Sequence, residues 1–179
     1  IISIDGPRPT SGLQEWARLN RYQTLISIAR GRQAVLLFAH HADDQAETIA
    51  MRLLKGSGLV GLAGIPSIRT QHGVIISRPL LGWSRDQLLN VCRHFDYAFE
   101  NDPSNRDRQF ERVRIRQLLA NLDQMDKGPS SDQFRRLGVL SAKLTTAAMN
   151  ANASILDKAV EWHAAGYATM VMSHLFYLP

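Results

Sequence analysis

The sequence predicts an α/β fold organised on a parallel sheet, and three stretches of its 179 residues carry that expectation. Residues 34–37 (AVLL) form an apolar run without alternation, which fits a strand buried on both faces, as parallel sheets require. An acidic segment then opens a helix in which Ala46, Ile49, Ala50, Leu53 and Leu54 recur at the spacing of a core-facing helical stripe. Residues 74–81 (VIISRPLL) read as another strand, stopped by Pro79, whose nitrogen has no hydrogen to give a ladder. Ser84 and Gln87 follow as a capping-box pair that starts the next helix.

Composition narrows the function classes. A hydrophobic fraction of 45% is ample for a packed core. No apolar run approaches the length of a membrane span, and no basic-apolar-small signal segment precedes the first strand, so a cytoplasmic protein without a membrane partner is expected. The single cysteine, Cys92, excludes an internal disulfide framework and any CxxC pair, which suits a reducing compartment. Lys and Arg number 21 against 16 Asp and Glu, and the net charge of +5 favours an anionic partner such as RNA.

Taken in order, residues 1–4 read as a short strand that begins without methionine, so the chain is expected to be part of a longer protein. A helix is expected over 13–30, with Trp16, Leu19, Leu25 and Ile28 as its core stripe. Arg18 and Arg21, three apart on another side, are either a solvated basic face or contacts for an anion. After the 34–37 strand comes HHADDQAET (40–48). At about 100° per residue, His40, Asp44 and Glu47 share one narrow arc turned away from the core stripe, provided that the helical turn begins at the histidines. One imidazole and two carboxylates then meet where a parallel strand ends, the place where open α/β sheets hold ligands. Acids in a first turn are equally what the helix dipole favours, and Asp43 can serve as an N-cap; spacing alone leaves both readings open.

Residues 56–61 match G-x-G-x-x-G literally, but a helix precedes them and Pro66 follows, so the dinucleotide fingerprint is rejected. Two readings remain for Lys55, Gly56, Ser57 and Gly58. They form a loop whose cation and open amides approach a phosphate or close as a lid, or they form a helix C-cap and a plain connector. In the helix begun by Ser84, Leu88, Leu89, Cys92 and Phe95 make a core stripe, which reads Cys92 as a packing residue rather than a nucleophile; His94 is given no role.

Residues 100–105 (ENDPSN) have a turn composition. Beyond them Ile115, Leu118, Leu119 and Leu122 face a core, while Arg108, Arg112 and Arg116 align four apart. Such like charges repel by a few tenths of a kcal/mol per pair, which either an anion or the neighbouring Asp107 and Glu111 would relieve. Residues 123–131 look like a linker. A long helix is expected over 133–162, with Phe134, Leu137, Leu140, Leu144, Ala147, Ala148, Ala151, Ile155 and Ala159 near one face, and residues 167–179 fit a strand and turn of a larger domain. There is no internal repeat.

The succession HHADDQAETIAMRLLKGSG, RPLLGWSRDQL, then ENDPSN with RVRIRQLL, resembles the bacterial tRNA(Ile)-lysidine synthetases, ATP pyrophosphatases of the PP-loop superfamily. The likeness spans about residues 12–120, and residues 17–22 (ARLNRY) match that family's A-R-x-x-R-Y helix. It implies a partial doubly wound, Rossmann-like sheet of the adenine nucleotide alpha hydrolase type with helices on both faces. Residues 1–123 would be the C-terminal part of the PP-loop domain, and 124–179 a linker and the start of a helical tRNA-binding domain. It implies ATP-dependent adenylation of the wobble cytidine of an isoleucine tRNA with a CAU anticodon, then attack by free lysine. ATP and Mg2+ are the implied cofactors, tRNA and lysine the partners, and the oligomeric state stays open, a homodimer included.

In that reading Asp44 and Glu47 hold the lysine ammonium and take its protons, and His40 orients them or shares the transfer. Arg18 and Arg21 meet the substrate carboxylate or a phosphate. Arg114 and Arg116, with Arg112 beside them, stabilise the adenylate or the RNA backbone, and Asp102 and Asn105 belong to the D-P-S-N element. Two departures stand out: the family's S-G-G-x-D-S nucleotide loop is absent from this chain, and Val113 stands where the family usually has Asn. This chain alone is therefore expected to be inactive. The alternatives are a tRNA thiolase of the same superfamily, which a lone Cys92 disfavours, and a non-catalytic RNA-binding piece.

Overall fold

A computed structural model describes residues 9, 11–100, 109–125 and 129–172. The expected 1–4 strand, Arg108, Asp102 and Asn105 lie outside the described residues. The elements are α1 (Leu13–Gly31), β1 (Leu36–Leu37), α2 (Ala42–Leu54), α3 (Leu59–Leu62), β2 (Ile68–Gln71), β3 (Val74–Ser77), α4 (Arg85–His94), α5 (Glu111–Asp123), α6 (Ser131–Ala159), β4 (Val160–Trp162) and β5 (Ala168–Met170), with a 3-10 turn at Pro79–Gly82. They fall into two compact units, Ile1–Gln45 with Ile65–Asn101, and Ala46–Gly64 with Asp102–Pro179. The first turn of α2 belongs to one unit and the rest of that helix to the other. No described helix is long and apolar enough to cross a membrane.

The first unit is built on a three-stranded sheet in the order β1-β3-β2. β1 runs parallel to β3 with Leu36 opposite Ile76, and β2 runs antiparallel to β3 with Ile68 opposite Ser77. The β2–β3 hairpin turns through His72 and Gly73, both with positive φ, the pair of conformations that a tight two-residue turn requires. Arg30 from α1 donates to the His72 carbonyl and holds that turn. Ile26 and Ala29 of α1 pack on Val74 and Ile76, with Leu36 and Phe38 alongside.

The described residues form less than the doubly wound parallel sheet with helices on both faces that the resemblance implied. Their sheet is mixed, with a single parallel pair. β1 is not buried on both faces either. Leu36 turns toward α1, whereas Leu37 is 69% exposed and Val35 52%, on the side shared with Ile75 and Ile68 at 48% and 66%. The run lacks alternation in sequence but alternates in burial, because among the described residues α1 packs against only one face. The α1 stripe is also displaced by one position: Ile26 and Ala29 are buried and Leu19 is exposed.

In the second unit Ala46 and Ala50 of α2 pack on Ile115 and Leu119 of α5, with Met51 and Phe134 alongside. α6 begins two residues before the expected position, at a complete Ser130–Gln133 capping box, and ends at Ala159 rather than Trp162, where the chain turns into the β4–β5 hairpin. The expected stripe holds at its ends, where Phe134 packs on the core and Ala159 is buried, but not between them: Leu140 and Leu144 are exposed, and Gly138 and Ser141 are buried. Gly138 lies so close to Ile49 that a Cβ there would stand 2.3 Å from Ile49 Cδ1. The missing side chain at this position makes room for the Ile49 side chain beside the packing of α6 on α3.

Candidate active site

At the carboxyl end of β1 the chain passes through His40 and His41 into α2. The Ala42 amide donates to the Trp83 carbonyl at 2.8 Å, fixing where the helix starts, and His41 precedes it in the N-cap position. The His41 amide donates to Asp44 Oδ2 at 3.0 Å, the return bond that a capping-box acid makes. His41 Nδ1 lies 3.3 Å from the Asp43 amide, which donates to it, and 3.5 Å from Asp43 Oδ2, while Nε2 stands 3.6 Å from Asp44 Oδ2. Asp43 is the second helical residue rather than the cap. Its Oδ2 accepts from the Arg85 amide at 2.8 Å and holds the start of α4.

The expected arc of His40, Asp44 and Glu47 depended on a helical turn at the histidines, and the helix starts after them. His41, not His40, touches Asp43 and Asp44, while His40 lies beside the Phe38 ring at 5.8 Å. A histidine immediately before a helix and three residues before an acid is the sequence signal for this contact. Gln45, next along, clasps the Ile65 backbone from both sides: its Nε2 donates to Ile65 O at 3.1 Å, and its Oε1 accepts from Ile65 N at 2.6 Å.

Phe38 anchors a column of rings and cations in the same unit. Tyr22 stacks on it at 4.6 Å, the Arg18 guanidinium lies 5.7 Å from the Tyr22 ring, and that of Arg78 lies 5.8 Å from the Phe38 ring. Arg18 is thus tied to Tyr22, while Arg21 is exposed on α1. Arg78 was read only as the end of a strand, and it is a buried polar residue.

In the second unit Glu47 is 1% exposed, so it is buried with its helix rather than turned away from the packed face. Arg116 Nε donates to Glu47 Oε1 at 2.6 Å, Arg112 Nε lies 3.8 Å from Oε2, and Arg112 Nη2 donates to Thr48 Oγ1 at 3.3 Å. The repulsion between Arg112 and Arg116 is therefore relieved by a carboxylate from the facing helix. Arg114 points elsewhere and donates to the Gln109 carbonyl at 3.1 Å. Val113 is buried, so an apolar contact replaces the polar one usual at this position of the motif.

The segment after α2 takes its cap-and-connector form. Gly56 has φ +70°, its amide donates to Leu53 O, and the Ser57 amide donates to Arg52 O, which together close a Schellman motif. Gly58 caps α3, and Arg52 Nη1 binds the carbonyls of Gly61 and Gly64 at 2.6 and 2.9 Å. Lys55 pairs with Glu111 at 2.8 Å. Among the described residues no three His, Cys, Asp or Glu side chains converge as a metal cage; Mg2+ is held by one or two carboxylates together with phosphates and water, and no step below runs through it.

A PP-loop domain family matches residues 2–122. Among relatives, a tRNA(Ile)-lysidine synthase of Bradyrhizobium diazoefficiens is 38% identical over 157 residues, 87% of this chain and 42% of the relative. Another of a Bradyrhizobium species is 43% identical over 118 residues, 65% of this chain and 33% of the relative. A third, of Novosphingobium aromaticivorans, is 48% identical over 116 residues, 62% and 35% of the two chains. This chain thus spans between a third and about two fifths of the length of the curated relatives it matches. With an acid-led helix at the end of a parallel strand and a family match over more than half its length, the chain belongs to the PP-loop domain family.

Proposed function

We propose that the protein containing this chain is a tRNA(Ile)-lysidine synthase, which adenylates the wobble cytidine of an isoleucine tRNA with a CAU anticodon and joins lysine to it. The observation that carries the reading is the His41–Asp44 pair, a carboxylate beside a ring nitrogen at the carboxyl end of a parallel strand. Lysine enters as an ammonium ion and attacks only as the free amine. Asp44, backed by the His41 ring, accepts the proton; the amine nitrogen then bonds to C2 of the activated cytosine as the C2–O bond breaks and AMP departs. Glu47 is the second carboxylate of this reading, through the Oε2 atom that accepts no hydrogen bond among the described residues. His40 adjoins the pair.

Arg18 and Arg21 are proposed to meet the substrate carboxylate or a phosphate. Arg112, Arg114 and Arg116 are proposed to face the adenylate or the RNA backbone, with Asp102, Asn105 and the Lys55–Gly56–Ser57–Gly58 segment nearby. The residues that activate ATP are assigned outside this chain, which has no S-G-G-x-D-S. In the whole protein the sheet is proposed to be doubly wound and the PP-loop domain to close near residue 123; the family match over 2–122 supports that boundary. A cytoplasmic location goes with the tRNA substrate.

The test uses the full-length protein, ATP, labelled lysine and an isoleucine tRNA transcript with a CAU anticodon. Lysine is expected to join the wobble cytidine only when ATP is present, and Asp44→Asn to slow the lysine-dependent step by about 100-fold or more while ATP–pyrophosphate exchange continues. Absence of lysine from the tRNA with wild-type protein would overturn the reading.

A further inference from the structure

Arg78 is 5% exposed, yet among the described residues no carboxylate lies within ion-pair distance of it. Its Nη1 donates to the Pro66 carbonyl at 2.8 Å, its guanidinium stands against the Phe38 ring, and its buried Nε has no hydrogen-bond partner among the described residues. Arginine stays charged in any protein environment, and a buried charge is costly unless it is paired. A carbonyl dipole and a ring face lower that cost without neutralising the charge. An apolar side chain would fill this position at less expense to the fold, so what the site lacks is a negative group.

Its place in the sheet says where that group would arrive. Leu37 pairs with Ser77 in the parallel register, and the Phe38 amide donates to Ser77 O at 2.9 Å, so Phe38 and Arg78 are the first residues beyond the paired strands. Side-chain alternation puts both on the α1 side, with Leu36 and Ile76. Ligands of open α/β sheets bind outside the carboxyl ends of such strands. The backbone around Arg78 is fixed from two directions: the Arg78 amide donates to Ser67 O at 2.8 Å, and Gln45 clasps the preceding Ile65.

We infer that Arg78, backed by Phe38, is a preorganised seat for one anionic oxygen group, a phosphoryl or a carboxylate, at the carboxyl end of the β1–β3 pair. The unused Nε–H and the adjacent edge of the fork match two oxygens of such a group. The seat stands on this geometry alone. The choice of probes below rests on the proposed use of ATP and lysine.

The experiment uses the full-length protein with arginine side chains labelled with nitrogen-15, the Arg78 Nε–H resonance being assigned by its loss in Arg78→Lys. Inorganic pyrophosphate, L-lysine and cadaverine, which is lysine without its carboxylate, are added separately to about 10 mM, well above a millimolar Kd. A shift with pyrophosphate assigns a phosphoryl group, and a shift with lysine but not cadaverine assigns a carboxylate. A resonance unmoved by both pyrophosphate and lysine overturns the proposal. Calorimetry adds a second arm: Arg78→Met is expected to weaken the ligand that gave the shift by about tenfold or more. A folded Arg78→Met that binds as well as wild type overturns the seat; if that variant does not fold, the wild-type resonance decides. Neither arm requires tRNA or turnover, so failure of the seat is separable from failure of lysidine formation.

Discussion

Glu47 Oε1 accepts the Arg116 Nε–H at 2.6 Å, and this contact joins a buried acid to a half-exposed base. The two partners do not contribute alike. Among the described residues, removing Arg116 leaves the buried carboxylate with Arg112 at 3.8 Å, whereas neutralising Glu47 leaves a base that is already half-exposed to water. Arg116→Met is expected to cost about 3 kcal/mol in denaturant unfolding of the full-length protein and Glu47→Gln about 1 kcal/mol. Equal costs would mean that water reaches Glu47 in solution.

Gln45 satisfies a backbone donor and a backbone acceptor of the same residue, Ile65. Gln45→Leu removes both partners and is expected to destabilise by about 1–3 kcal/mol. Gln45→Glu keeps an acceptor for the Ile65 amide but sets a negative oxygen against its carbonyl, so it is expected to fall between Leu and wild type at neutral pH and to recover in mild acid. Thermal unfolding of the three proteins would give that order; a leucine variant as stable as wild type would show that the clasp is replaced by water without loss.

A methyl group at position 138 meets the end of the Ile49 side chain. Gly138→Ala is expected to cost about 1–3 kcal/mol through overpacking. Ile49→Val removes the Cδ1 atom involved, so the double variant should be less damaged than the two single costs predict when added. Strict additivity in a double-mutant cycle would contradict the contact between position 138 and the Ile49 side chain.

The Asp132 carboxyl is held below the ordinary carboxylate value of 3.8 by the hydrogen bond from Arg135 and then by that from Arg136. A depressed folded-state pKa stabilises above the unfolded value and is lost as pH falls through the folded one. The first turn of α6 is therefore expected to loosen as pH drops below about 4, seen as faster amide exchange at residues 133–136 after correction for the intrinsic rate. Asp132→Asn should remove that pH dependence; an unchanged profile would assign it elsewhere.

The parts of the fold legible in the sequence are those set locally. The Ser84–Gln87 capping box marks its helix because the signal and its effect lie within four residues, whereas the same pattern at Ser130–Gln133 opens α6 inside a stretch whose Gly-Pro-Ser-Ser composition reads as a linker. The β2 strand was missed: Ile68–Gln71 is short and mostly exposed, so it lacks an apolar signature, and only His72–Gly73 hinted at the hairpin. The middle of the α6 face differs from the expected stripe because it is buried through Gly138 and Ser141, residues that a search for large apolar side chains passes over. At the site, the acids of α2 stood out by type, but the choice between His40 and His41 depended on where the helix starts, and the Ala42–Trp83 bond that fixes this crosses 41 positions of sequence. A strand-end arginine followed by proline looks like an edge in sequence; its burial, and the lack of a counter-charge among the described residues, distinguish Arg78.

The outward side of the first unit's sheet decides how this stretch of protein can be handled in the laboratory. Val35, Leu37, Ile68 and Ile75 lie on one face of three neighbouring strands, and contiguous apolar surface of that kind draws molecules together as concentration rises. In this stretch alone, Leu37→Lys and Ile68→Lys would place charge on that face while leaving His41, Glu47 and Arg78 untouched, and charge there opposes face-to-face association. In the full-length protein, where helices are proposed on both sides of the sheet, the same two substitutions would bury charge, so a folded double variant there would mean that this face stays open to water.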